Sequence, residues 1–136
     1  MDLLNAMSAS TYGMKAQSTR IRVISENIAN ADSAANVPGE QPYQRKTVSF
    51  RNVLDRETGM SKVVVEDVGR DRSEFPTRYM PGHPGANADG YVMMPNVKTT
   101  IEMMDMREAQ RSYEANLNMI KMVRTMTNQT IGLLDQ

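Results

Sequence analysis

The side chains that could do chemistry in this 136-residue chain are few and scattered. His83 is the only histidine and the chain has no cysteine, so neither a second imidazole nor a thiolate can complete a metal site with it. The nearest carboxylate pairs, Glu66 with Asp67 and Glu102 with Asp105, have polar neighbours that favour solvent-exposed faces over acid–base catalysis. We therefore expect no catalytic residue, metal ligand or cofactor. An enzyme would need His83 and a carboxylate to converge in one pocket.

The charge balance disfavours a nucleic-acid partner. Sixteen basic and sixteen acidic residues leave a formal net charge of zero, whereas a protein that binds phosphates usually carries a basic excess. A loose group of basic residues favours a solvated or inter-subunit charged face over an anion site, and we expect no small-molecule substrate. The group consists of Arg20, Arg22, Arg45, Lys46 and Arg51.

Methionine takes the place of the usual large core residues. The chain has 13 Met but no Trp and only two Phe. Because the thioether side chain is flexible and polarizable, a Met-rich surface can pack against several different neighbours. Met119, Met122 and Met126 could form an ordinary coiled-coil core, but we favour packing against several unequal neighbours. The composition therefore favours an interaction protein over one with a large self-contained core.

Residues 1–30 have the pattern of a long N-terminal helix. Apolar positions alternate in steps of four and three, which is the spacing of a heptad seam. Asp2 is a suitable N-cap, and Gly13, which costs about 1 kcal/mol against Ala inside a helix, indicates a close helix approach. Ser25, Asn27 and Asn30 place a hydroxyl and two short amides where they could satisfy the last carbonyl groups, and Asn30 could also end the helix in a left-handed conformation. The seam consists of Leu3, Met7, Met14, Ile21, Ile24 and Ile28, with Ser10 and Gln17 in its two gaps.

Residues 31–96 form a middle portion of loops and short strands. Pro38-Gly39 fits the centre of a type II turn. The β-branched run at residues 61–68 is the best strand candidate, residues 45–50 alternate as a second one, and Asp89-Gly90 could turn a hairpin into a strand beginning at Tyr91. Few large apolar residues occur here, so we expect a thin core.

Residues 97–136 return to a helical pattern. Asn96 could cap this helix, or Thr99 and Glu102 could form a capping box. Apolar and neutral positions cover more than half of its circumference, which a single partner helix cannot cover. The main arc consists of Tyr113, Leu117, Ile120, Thr127, Ile131 and Leu134, and Met119, Met122, Val123, Met126 and Leu133 widen it.

These segments predict a mainly α protein with a small β or irregular insert. The two long terminal helices are expected to pair in a coiled-coil-like bundle, and the excess apolar surface to pack against other subunits. If such contacts are heterologous and do not close, the product is a filament or tube. We expect a charge introduced at Ile28 or Ile120 to abolish that assembly while leaving the subunit soluble.

Two sequence signatures resemble the rod, hook and related axial proteins of the bacterial flagellum. "GMKAQ" (residues 13–17) with "SENIANA" (residues 25–31) resembles the N-terminal signature, and "GYVMMPNV" (residues 90–97) with "AQRSYEANLNMI" (residues 109–120) resembles the C-terminal one. A late Pro-Gly and the following "PYQRK" (residues 42–46) are similar to the proximal-rod branch of the C type, although Glu40 replaces the family's aromatic residue. The matching positions are Gly13, Met14, Gln17, Ser25, Asn27, Ile28, Ala29, Asn30, Pro38, Gly39, Tyr43, Pro95, Asn96, Val97, Tyr113 and Asn116.

The resemblance implies a structural subunit of the basal-body rod, the drive shaft that transmits torque from the motor ring to the hook across the periplasm. The implied partners are other copies of the chain, the B-, F- and G-type rod proteins and the basal adaptor that links rod to ring. The resemblance also implies export through the flagellar type III apparatus without a cleaved signal peptide. A soluble coiled-coil adaptor or secretion chaperone is the alternative, since it would also be Met-rich and free of cysteine.

Overall fold

Along the chain, a long helix comes first, four strands follow, and a second long helix comes last. The computed structural model describes residues 3–56 and 58–134, apart from the side chain of residue 134. The mainly α class with a small β insert is thereby confirmed, whereas the predicted N-cap at Asp2 lies outside the described residues. The elements are α1 (Leu3–Ala29), β1 (Lys46–Leu54), β2 (Ser61–Arg70), β3 (Thr77–Tyr79), β4 (Tyr91–Met93) and α2 (Thr99–Leu134).

Asn30 follows the last residue of α1 and donates hydrogen bonds to a free carbonyl group in the last turn of that helix. Its side-chain Nδ2 donates to the carbonyl oxygen of Glu26 at 2.7 Å, and its backbone N donates to the same oxygen at 3.1 Å. The prediction that short polar side chains serve the free carbonyls is confirmed for Asn30. It is wrong for Asn27, whose amide donates to Lys46 O and Glu102 Oε2 instead. The left-handed alternative is wrong, because no described residue other than glycine has a positive φ.

The start of α2 differs from the sequence prediction. The carbonyl oxygen of Lys98 accepts from the backbone N of Ile101 at 2.9 Å and of Glu102 at 3.1 Å. Asn96 does not cap the helix, and Glu102 does not reach back to form a capping box with Thr99. Both side chains are instead bound to partners far away in the sequence. Local capping signals are overridden here by tertiary hydrogen bonds.

The middle portion contains the predicted turns and strands. Glu40 N donates to Val37 O at 3.2 Å around Gly39, whose φ of +85° is the value that a type II turn requires. β1 and β2 form one two-stranded sheet. β3 and β4 form a second, antiparallel sheet, in which the rings of Tyr79 and Tyr91 meet edge to face at 5.3 Å. The Asp89-Gly90 turn is held by the side-chain oxygen of Asn87, which accepts from Asp89 N and Tyr91 N.

The chain divides into two compact units. The first consists of Met1–Ile21, Ser49–Asp67 and Arg107–Gln136, and the second of Arg22–Val48 and Val68–Met106. The buried residues of the first unit are small; they include Ser10, Ala16, Ala109 and Val123. Those of the second unit include Val23, Ile24, Asn27, Ala35, Val92, Met94 and Glu102. Each core is thin, as the scarcity of large apolar residues predicts.

Lys62 connects the β1–β2 loop with α1 in the first unit. Its Nζ lies 3.0 Å from Asp55 Oδ2 and 4.9 Å from the centroid of the Tyr12 ring. The hydrogen bond to Asp55 raises the pKa of Lys62, so the ammonium stays charged while it contacts the ring. Over the described residues, neither helix is long and apolar enough to cross a bilayer.

Candidate functional site

The most conspicuous polar site is a buried carboxylate in the second unit. Glu102 is 1% exposed. Its Oε1 accepts from Arg45 Nε at 2.6 Å, and its Oε2 accepts from Asn27 Nδ2 at 3.0 Å. Burying a carboxylate is expensive unless it is paired and hydrogen-bonded, and both oxygens here have a donor. We use the name Glu102 cluster for Asn27, Tyr43, Arg45, Asn96 and Glu102.

Asn27 connects α1 with the start of β1. Its Oδ1 accepts from Tyr43 Oη at 2.9 Å and from Lys46 N at 2.9 Å, while its Nδ2 donates to Lys46 O at 2.9 Å as well as to Glu102. Only an amide offers donors and an acceptor in this arrangement. Burial raises the pKa of Tyr43, which keeps its hydroxyl protonated as the donor. This is the physical role of Asn27 in the "SENIANA" signature.

Asn96 performs a similar task for the segment that precedes α2. Its Oδ1 accepts from Arg45 N at 2.7 Å, and its Nδ2 donates to Asp71 O at 3.1 Å and to Ser73 Oγ at 3.0 Å. The backbone after β2 is thus fastened to the backbone before β1. A single amide side chain therefore holds together two backbone segments that are far apart in the sequence.

Charged residues surround the cluster and are themselves paired. Arg45 Nη1 lies 3.6 Å from Asp71 Oδ2, and Arg45 Nη2 lies 3.9 Å from Asp105 Oδ2. Hydrogen bonds from Ser73, first from its backbone N at 2.9 Å, hold the pKa of Asp71 below its ordinary value. The carboxylates of Asp71, Glu102 and Asp105 therefore share the positive charge of the Arg45 guanidinium.

Glu26, next to Asn27 in α1, forms two further ion pairs beside the cluster. It accepts from Lys46 Nζ at 2.8 Å and from Arg22 Nη1 at 2.8 Å. The Lys46 hydrogen bond is the main reason that the pKa of Glu26 is lowered. With its polar atoms bound to one another, the cluster is suited to fastening α1, β1 and α2 together within the second unit.

A tight helix contact marks the first unit. A Cβ atom placed on Gly13 would lie 2.9 Å from Asn116 Oδ1, closer than side chains normally approach. Asn116 Nδ2 in turn donates to Ser112 O at 2.9 Å, which fixes the amide against α2. The close approach predicted from a glycine inside a helix is confirmed, and its partner is another residue of the sequence signature.

Comparisons with known proteins agree with this assignment of the signatures. Residues 3–39 match a family described as "Flagella basal body rod protein", and residues 88–133 match "Flagellar basal body rod FlgEFG protein C-terminal". The chain is 50% identical to the flagellar basal-body rod protein FlgC of Agrobacterium fabrum, over 98% of this chain and 97% of that one. The chain belongs to the FlgC family.

More distant relatives in the FlgC family also match over nearly their whole length. The protein of Salmonella typhimurium is 38% identical, with 98% of each chain covered, and that of Bacillus subtilis is 37% identical, with 98% of this chain and 95% of the other covered. The predicted family is confirmed. As a FlgC-family member the protein is a structural rod subunit of the flagellar basal body that assembles with other rod proteins, and it is not an enzyme. Family membership decides against the adaptor or chaperone alternative.

The FlgC signature positions differ widely in exposure. Asn27 and Pro95 are buried, whereas Ser25, Ala29, Pro38 and Gly39 are exposed and the remaining ones are half-buried. Gln17 Oε1 is buried and has no hydrogen-bond partner among the described residues. The hydrogen bonds of buried Asn27 and the Gly13–Asn116 contact give physical reasons for the residue types at these three positions.

The predicted packing residues divide into three groups in the single chain. Ile24 is buried, and the half-buried members are Met14, Ile21, Ile28, Tyr113, Leu117 and Ile120. The exposed members are Leu3, Met7, Met119, Met122, Met126 and Ile131. Leu134 falls on a side chain outside the described residues. Contact of these positions with other subunits stays a prediction.

Two residues of the site were missed by the sequence analysis. The interpretation of Glu102 as part of a solvated face is wrong, because its side chain is 1% exposed. Arg45, expected in a loose basic group, has a half-buried side chain that pairs with Glu102. Glu102 lies between Ile101 and Met103 near the helix start, and since both of these apolar residues are exposed, its neighbours in the sequence give no signal for burial. Nothing local indicates which cation pairs with it.

His83 lies in a loop, as predicted. Its Nδ1 accepts from Gly85 N at 3.1 Å. Within residues 3–56 and 58–134, no group of three His, Cys, Asp or Glu side chains could hold a metal ion. The imidazole therefore helps to shape the loop between β3 and β4.

Proposed function

We propose that the chain is a subunit of the proximal rod, that it polymerises into the tubular wall of that rod, and that it transmits torque from the motor ring towards the hook. The observation that carries the proposal is an open apolar face on α2 in the first unit. Met119 is 46% exposed, Met122 59% and Met126 48%. Family membership supports a rod subunit, and the open face supports polymerisation.

The three methionines share one side of the helix. Their spacing of three and four residues places them within an arc of about 60°. Ala109 and Val123, on an adjoining side, are buried within the chain itself. Burying a Met side chain is worth roughly 1.5–3 kcal/mol, so an open row of three is a substantial driving force for association.

Torque transmission requires subunits that resist shear. The Glu102 cluster supports this property within the second unit, because one buried carboxylate and two amides join α1, β1, α2 and the segments that flank them. In this proposal the terminal helices pair as in a coiled coil, and the strands lie towards the outside of the tube.

The neighbours in this proposal are other copies of the chain, the B-, F- and G-type rod proteins and the basal adaptor that links rod to ring. The chain reaches the periplasm-spanning rod through the flagellar type III export apparatus, without a cleaved signal peptide. Methionine suits an interface with unequal neighbours, because its flexible side chain repacks at little cost.

The test introduces charge on the open face without disturbing the chain's own core. Met122→Glu combined with Met126→Glu should abolish motility in a strain that lacks the wild-type chain, and rod-containing basal bodies should be absent. Ile28 and Ile120 are half-buried, so a charge there would also disturb the monomer. Circular dichroism of the purified variant should match that of the wild type.

Asn118→Glu is the matched control, since Asn118 is exposed on the same helix but lies outside the row of methionines. It should leave motility intact. Normal motility and normal basal bodies in the Met122→Glu, Met126→Glu strain would contradict the proposal.

A further inference from the structure

The exposed sulfur atoms of α2 are the starting point of a second inference. The chain has 13 Met and no Cys, so methionine is its only side chain that mild two-electron oxidants readily modify. Met103 is 55% exposed and Met104 67%, in addition to the three methionines of the open face, whereas Met94 is 7% exposed. Access of an oxidant therefore differs sharply along the chain.

Exposure alone does not decide what oxidation does. Met119, Met122 and Met126 lie in one row, so sulfoxides there would place three polar groups on one apolar face. Met103 and Met104 point about 100° apart and lie 15 or more residues before Met119 along α2, so they form no row with each other and add no polar group to the row of three. The consequence of oxidation should differ between the two sets even though their access is similar.

We propose that Met119, Met122 and Met126 are a reversible oxidation site that controls incorporation of the chain into the rod. The inference rests on the proposed function, because it takes the open face to be an assembly surface. The oxidant is a peroxide, and the reductant that restores the site is a methionine sulfoxide reductase with its thiol donor.

The chemistry is balanced for each methionine. A lone pair of the thioether sulfur attacks one oxygen of hydrogen peroxide, the S–O bond forms and the O–O bond breaks. The proton of the transferred hydroxyl group moves to the leaving hydroxide, which departs as water. The methionine loses two electrons and the peroxide gains them.

The product changes the character of the face. A sulfoxide is polar and its oxygen accepts hydrogen bonds, so burial against an apolar neighbour leaves that oxygen unpaired. Burial of one unpaired polar group weakens a contact by about tenfold. Three such groups in one row should prevent stable docking.

The first experiment maps the modification on the purified full-length chain. Hydrogen peroxide is added, and the sulfoxide at each methionine is followed by mass spectrometry of proteolytic peptides. Oxidation of Met119, Met122 and Met126 should be about tenfold faster than oxidation of buried Met94. Equal rates at all four positions would overturn the inference.

The second experiment measures the consequence in cells that lack methionine sulfoxide reductase and make the chain from an inducible copy. A brief peroxide pulse is given during induction, and completed basal bodies are counted against the untreated sample of the same strain. The wild type should lose most of its new basal bodies. A Met119→Leu, Met122→Leu, Met126→Leu variant, whose side chains cannot form sulfoxides, should show the same count with and without the pulse.

Met103→Leu with Met104→Leu is the matched control and should remain as sensitive as the wild type. If the triple variant loses basal bodies as the wild type does, the oxidation site is refuted while the proposed function stands. If the charge variants of the open face assemble normally, the proposed function fails first, and the two failures are therefore distinguishable. Restoration of the reductase should return wild-type counts after the pulse.

Discussion

Arg45 Nε and Glu102 Oε1 form a 2.6 Å ion pair across 57 residues of sequence, with Glu102 in the interior of the second unit. The pair joins the start of the β1–β2 segment to the first turns of α2. Asn27 from α1 donates a hydrogen bond to the other oxygen of the same carboxylate. Three separate parts of the chain are therefore fixed at one buried group.

Removal of the carboxylate should destabilise the protein. Loss of one partner of a buried ion pair costs roughly 3–5 kcal/mol. We expect about 2 kcal/mol for Glu102→Ala, because the Arg45 side chain is 25% exposed and stays near Asp71 and Asp105. Urea denaturation of the purified chain measures this difference.

A double variant distinguishes the stability that the ion pair contributes from the cost of leaving one of its charges without a partner. Arg45→Met with Glu102→Leu should lie within about 1 kcal/mol of the wild type, because apolar side chains of similar size fill the site without an unpaired buried charge. Asp71 and Asp105 lose Arg45 in this variant, but their side chains are 31% and 33% exposed and remain solvated. A double variant less stable than Glu102→Ala would show that the ion pair itself, and not the uncompensated charge, dominates the loss.

Asn27 should tolerate neither an acid nor truncation. Asn27→Ala leaves Tyr43 and the Lys46 backbone without partners and should cost about 2 kcal/mol. Asn27→Asp should cost more, about 3 kcal/mol, because it replaces the donor to Glu102 by a second carboxylate. Thermal and urea unfolding of both variants at neutral pH test the order. If Asn27→Asp is the more stable variant, the assigned direction of the hydrogen bond to Glu102 is wrong.

The Gly13–Asn116 contact predicts opposite effects of one substitution in two backgrounds. Gly13→Ala should destabilise the wild type by about 1 kcal/mol, because the new methyl group displaces the Asn116 amide. In an Asn116→Ala background the same change should stabilise by about 1 kcal/mol, since alanine is the better helix former. A double-mutant cycle from four denaturation curves measures the coupling. Additive effects would rule out the contact.

Acid should weaken the second unit through two carboxylates. The pKa of Glu26 is lowered by Lys46 and that of Asp71 by Ser73, so each contributes stability above its ordinary value of 4.5 or 3.8 and loses it as the pH falls through the lowered pKa. The free energy of unfolding should therefore decrease as the pH is taken from 5 towards 3. Glu26→Gln and Asp71→Asn should flatten that decrease.

Glu40→Gln, a change on an exposed loop residue, serves as the comparison for the acid series. It should leave the wild-type pH profile nearly unchanged. Equal slopes in Glu26→Gln, Asp71→Asn and the wild type would remove the basis for assigning acid sensitivity to these two groups.

Local signals in the sequence predicted most of the elements. The heptad spacing predicted α1, the β-branched run predicted β2, and Pro38-Gly39 predicted the turn in which Gly39 has a positive φ. Such features depend on neighbours a few residues away, and a single sequence contains them. The signature residues likewise identified the family before any contact was known.

Tertiary structure decided which polar residues are buried. Asn96, Thr99 and Glu102 have the residue types of helix caps, yet Asn96 and Glu102 bind Arg45 instead. The physical reason is that a buried carboxylate must find its donors wherever the fold brings them, and here they come from 57 and 75 residues away. The sequence by itself therefore determined the helices, the turns and the family, because these follow from local spacing and signature residues. Only the folded chain determined that Asn27, Arg45 and Glu102 meet, because hydrogen bonds between distant segments leave no periodic trace in the sequence.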